Sequence, residues 1–141
     1  MTGPAPLPTD EEVRRVVDDL RAVVQVIAGL PALAPADDVA ARRWADARAA
    51  SVEQTWSQLQ PAMVAGDALI FGAGIQALLS ETVPLGDAPP SMVATVDAVR
   101  THLERLAVDT DALLDPHTTP EGISPAAQVA MSESLRRIAG T

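Results

Sequence analysis

The sequence predicts an all-α protein, an up-and-down helical bundle of four to five helices that pairs as a homodimer. Three observations predict it: apolar residues recur at alternating spacings of four and three, prolines and glycines fall mostly between these segments, and the segments together carry more apolar surface than one small chain buries. At 141 residues the chain is one domain, long enough to bury roughly two thirds of the surface its unfolded form exposes. Residues 1–8, with three prolines, form an arm before a single domain over 9–141.

Each element carries its own signal. Thr9-Asp10-Glu11-Glu12 has capping-box spacing, a hydroxyl at the cap and a carboxylate three residues on. Val13, Val17, Leu20, Val24 and Ile27 then form an apolar seam that ends near Gly29. A second helix opens at Asp37 or Asp38 and runs to about residue 60, carrying Trp44, Val52, Trp56 and Leu59. Pro61 lacks an amide hydrogen and clashes with the preceding turn, so a kink or a new helix is expected there, with a third helix over about 62–82. The fourth helix follows Pro89-Pro90 and keeps Met92, Val96, Val99, Leu103, Leu106 and Leu113 in register, with only Thr110 departing from apolar character. After a loop over 116–123, Ser124-Pro125 is a cap and first-turn pair for a last helix that buries Met131, Leu135 and Ile138 and stops at Gly140.

Composition removes several chemistries. Without cysteine there are no disulfides, thiolate metal sites or cysteine nucleophiles, and without lysine there is no Schiff base and no Walker-type phosphate lysine. All ten basic residues are arginine, and asparagine and tyrosine are absent too, a composition that a GC-rich genome of actinobacterial type encodes. A net charge of −9 repels nucleic acid and anionic membrane surfaces alike. No run approaches the roughly 18–20 apolar residues of a membrane span, and the amino terminus lacks a signal core, so a cytoplasmic protein is expected.

The stretch "DALIFGAGIQALLSE" poses the sharpest choice. Gly72, Gly74 and Ala77 match a G-x-G-x-x-A dinucleotide turn, "ALIF" could be the strand before it, and Asp97 lies about where a ribose-binding acid stands. Context argues against it, because "LGDAPP" breaks the segment too soon for a crossover helix and "MVATVD" belongs to the long helical seam. The preferred reading is a helix apolar nearly all round, central to the bundle or in a subunit interface, with its glycines admitting close packing or a ligand. Gln76 within it needs hydrogen-bond partners if buried.

Candidate site residues follow from residue type and spacing. His102 and Asp109 share a helix flank with Arg105 and form a candidate acid–base pair, although a half-exposed surface histidine is the commoner outcome. His117 lies in a loop and is expected to be solvated. Trp44 and Trp56 lie twelve residues and roughly 120° apart on one helix, so they cannot both face one neighbour. Arg48, with Arg42 and Arg43, could hold a carboxylate or phosphate beside Trp44, or form salt bridges with neighbouring acids. No metal site is expected, since neither histidine has a glutamate three residues before it and paired acids on a helix diverge. No cofactor is implied.

Two functional classes remain. The first is a protein with an apolar pocket, lined by Gly72, Gly74, Gln76, a tryptophan and Arg48, that binds a hydrophobic small molecule, with His102 as proton carrier if it is an enzyme. The second is a protein–protein interaction module, adaptor or regulator, whose apolar seam receives a partner helix without catalysis.

Overall fold

The computed structural model describes residues 6–80 and 85–140, and all-α character is its dominant feature. Helix α1 spans Asp10–Ala28, the single turn α2 Leu30–Leu33, α3 Val39–Ala65, α4 Ala68–Ser80, α5 Val93–Leu114 and α6 Pro125–Ala139. Most of the arm over 1–8 and the expected end of the third helix near 82 lie outside the described residues.

Local chemistry sets the helix starts. Thr9 Oγ1 accepts from the Glu12 amide at 3.2 Å and Glu12 Oε1 accepts from the Thr9 amide at 3.3 Å, which completes the capping box. Asp38 caps α3 by accepting from the Ala41 amide at 3.0 Å. Its second oxygen accepts from Ser91 Oγ at 2.6 Å, so one carboxylate joins the start of α3 to the 3-10 turn before α5. These bonds, that from Ser91 foremost, hold the Asp38 carboxyl below its ordinary range. Ser124 Oγ caps α6, with Pro125 in the first turn.

Around α1 the apolar stripe is wider than the four-three seam. Val16 and Val23 are buried together with Val13, Val17, Leu20, Val24 and Ile27. A stripe this broad cannot be covered by one neighbour, and α1 packs most extensively on α5 and also on α3 and α6. On α5 the predicted seam is buried in full, Thr110 included, and Thr110 Oγ1 finds no hydrogen-bond partner among the described residues.

A carboxylate also ties α6 to the first turn of α1. Asp10 accepts from Ser134 Oγ at 2.6 Å and from Arg137 through both oxygens, at 2.8 Å from Nε and 2.6 Å from Nη2. Arg137 first, and Ser134 after it, hold the Asp10 carboxyl down to about 2. The stability from a depressed carboxyl is present above its unfolded value and is lost as the pH falls through the folded one, so this clamp releases between about pH 4 and pH 2.

Three local expectations are corrected. Helix α3 runs through Pro61 to Ala65 without a break, because Leu59, Ala62 and Met63 are buried on both sides of the exposed proline. Burial of those side chains offsets a proline cost of about 3 kcal/mol. The stop comes at Gly66, whose left-handed backbone (φ 71°) lets the Asp67 amide donate to the Ala62 carbonyl at 2.8 Å. Within the expected loop, Thr118–Thr119 pairs antiparallel with Gly122–Ile123. The hairpin folds back so that the Ser124 amide donates to the His117 carbonyl at 2.9 Å, and His117 is buried rather than solvated.

Gly66 is constrained twice, by its φ and by α6 packed over it. A Cβ there would lie 2.6 Å from Arg136 Nε and 2.8 Å from the Ser132 carbonyl oxygen, while Arg136 Nε itself donates to the Ala65 carbonyl at 3.1 Å. Gly66→Ala is therefore expected to cost more than the roughly 1–2 kcal/mol of a left-handed alanine, lowering the urea midpoint without a change in slope. A midpoint equal to wild type would contradict this account of the α3–α4 corner.

Candidate functional site

The stretch that offered a nucleotide-binding turn is one uninterrupted helix, α4, and "ALIF" is its first turn rather than a strand. Its buried stripe is Ala68, Phe71, Ile75 and Leu78, set against α3 and α6. The opposite side, with Leu69 and Ile70 more than half exposed, faces outward, so α4 lies at the periphery and is not the centre its composition suggested. Gln76 lies on that outer side and is exposed, which removes its need for a buried partner.

The two glycines of α4 differ. A Cβ on Gly74 would overlap the Leu59 side chain of α3, so the absence of a side chain there is what lets α4 sit on Leu59. A Cβ on Gly72 would meet no atom outside the local helix within 4 Å among the described residues, so none of them packs against this glycine. Gly74, Ile70, Ala73 and Ala77 form one wall of a shallow groove of about 190 Å³, opposite Thr55 and Gln58 of α3.

His102 and Asp109 do not form a hydrogen-bonded pair among the described residues. Seven residues correspond to about 10 Å of helix axis, too far for an aspartate to reach a histidine on the same helix. Asp109 instead meets Asp19 of α1 across the α1–α5 interface. Asp19 is half-buried, its Oδ2 has no hydrogen-bond partner among the described residues, and burial together with Asp109 pushes its carboxyl up to about 6. Arg105 relieves part of this, while Asp18 adds to it.

Trp44 and Arg48 lie one turn apart on α3, both half-buried, and Trp44 packs against the core. Trp56 is also half-buried but belongs to a different surface, where α1, α3 and α6 meet. Two adjoining recesses there, of about 240 and 140 Å³, share Trp56 and Arg21. Gln60, Met63 and Val64 of α3 and Ala139 of α6 line the first, and Val24 and Gln25 of α1 line the second. The eight residues singled out from the sequence thus do not converge on one pocket: Gly74 and Trp56 line separate recesses on two sides of α3, and His102 and Asp109 lie on α5.

Arg21, Gln25 and Gln60 are the recess residues that sequence reasoning missed. The signal for them was slight: Arg21 falls four residues after Val17 and three before Val24, on the edge of the α1 stripe. Its partnership with Trp56 depends on how α1 meets α3, which no local pattern states. Among the described residues no cluster of three histidine, aspartate or glutamate side chains could hold a metal ion, and no helix is long and apolar enough to cross a membrane. No protein-family model, no curated protein and no solved structure matches the chain.

The Asp19–Asp109 contact has a defined pH dependence. A carboxyl whose folded value is raised favours folding when protonated, so its contribution falls as the pH rises from about 4 through about 6. Asp19→Asn is expected to raise the melting temperature at pH 7.5 by at least about 2 °C and to leave it nearly unchanged at pH 4.5. Equal melting temperatures at pH 7.5 would show that the two carboxyls do not oppose each other.

Proposed function

We propose that the protein binds a hydrophobic small molecule in the recess between α1, α3 and α6, with Trp56 as its main contact. The observation that carries this reading is the setting of Trp56, a half-buried indole beside Met63 and Val64, with the polar ends of Gln60 and Arg21 at the same recess. The indole, Met63 and Val64 offer apolar contact within a recess whose lining is otherwise largely polar, and only the two recesses together reach the lower end of the roughly 300–1,000 Å³ typical of small-molecule sites. Binding rather than catalysis is proposed, since Asp109, the carboxylate expected to orient His102, is engaged with Asp19 instead.

The proposal extends to the assembly: helices in an up-and-down bundle, paired as a cytoplasmic homodimer through the outer side of α4. In favour of a second copy as occupant is charge. Two chains of net charge −9 repel, but α4 has no charged residue from Ala68 to Ser80 and presents Leu69 and Ile70 outward. The interaction-module reading rests on this same face, with a different protein as the partner.

Two experiments test these statements. Titration of 15N-labelled protein with indole and naphthalene fragments is expected to move the Trp56 indole resonance, with the shift lost in Trp56→Ala and kept in Trp44→Phe; a response confined to Trp44 or to α5 would overturn the site. Ile70→Asp is expected to convert a dimer to a monomer in light scattering with helicity intact, and a wild type that is monomeric at high concentration would overturn the assembly.

A further inference from the structure

Within an acidic chain, the charge of the Trp56 recess has the opposite sign. Nineteen acidic residues stand against ten arginines, yet among the described residues neither recess is lined by an aspartate or glutamate, and Arg21 lines both. Three of the other nine arginines have a described ion pair: Arg15 with Glu11, Arg100 with Asp97 and Arg137 with Asp10. Arg21 makes no such ion pair among the described residues, and Asp18, one turn before it on α1, does not bridge to it.

Resting on the reading that this recess is the binding site, we infer that its ligand is a small aromatic acid, with the carboxylate on Arg21 and the ring against Trp56. A guanidinium presents two parallel donors that match the two oxygens of a carboxylate. Its strength there grows as the ligand's ring excludes water from the contact. Gln25 lies one turn beyond Arg21, and its amide with that of Gln60 can donate to the remaining lone pairs. A neutral apolar ligand would cover the cation without pairing it, which costs free energy, and an organic cation would be repelled at the recess.

The test uses 2-naphthoate and its neutral isostere 2-naphthamide, with the Trp56 indole resonance as readout on wild type, Arg21→Gln and Arg21→Lys. Because Arg21 is exposed, these variants are expected to keep wild-type circular dichroism. Naphthoate should bind wild type at least tenfold more tightly than naphthamide. Arg21→Gln should abolish that preference, chiefly by weakening naphthoate at least tenfold, and Arg21→Lys should restore part of it. Equal binding of the two probes, or a preference that survives in Arg21→Gln, would overturn the charge assignment and leave the recess standing. If neither probe moves Trp56, the recess itself falls as the binding site.

Discussion

Burial of α1 is the constraint on which the rest of the structure depends. Its overlapping stripes, Val13-Val17-Leu20-Val24-Ile27 and Val16-Leu20-Val23-Ile27, leave it apolar over more than one side. No single helix can cover such a surface, so α5, α3 and α6 are all drawn onto it. The charged residues of α1 are thereby pressed against the margins of its neighbours. Asp10 meets Ser134 and Arg137 of α6, Asp19 meets Asp109 of α5, and Arg21 lines a recess with Trp56 of α3. Asp19 and Arg21, two residues apart, point about 160° away from each other. Packing of one apolar helix therefore creates both the like-charge contact and the candidate anion site.

These margins differ in how well they are satisfied. Asp10 is fully engaged, receiving one hydroxyl and a two-point guanidinium contact. Asp19 faces another carboxylate with one oxygen unsatisfied among the described residues, and the buried Thr110 hydroxyl on the opposing helix is likewise without a partner there. Polar atoms left this way weaken an interface that apolar burial otherwise makes strong. Arg21 is a third case, a cation lining a recess and without an ion pair among the described residues.

Signals that act within a turn or two were legible in the sequence. The Thr9–Glu12 box, the Ser124-Pro125 start and the α5 seam are local, and they appear where spacing placed them. Pro61 was misleading because its penalty is local while the burial of Ala62 and Met63 that offsets it is tertiary. In α4 an absence of charge left no pattern to mark the outer side. Which stripe is buried depends on Leu59 meeting Gly74, a contact between two helices, and this left Gln76 exposed. Asp109 was paired with the wrong partner for the same reason, since the residue it meets lies on α1. Trp56 was visible as a rare aromatic, but Arg21 gains its meaning only from the α1–α3 crossing.

The central claim is that the surface shared by α1 and α3 receives a ligand against Trp56. The most direct measurement is a set of intermolecular nuclear Overhauser effects between bound 2-naphthoate and protein selectively protonated at tryptophan, methionine and isoleucine. The account predicts cross-peaks from the naphthyl ring to the Trp56 indole and the Met63 methyl group, both of which line the recess. Cross-peaks to Ile70, on the far groove beside Gly74, with none to Trp56, would contradict it.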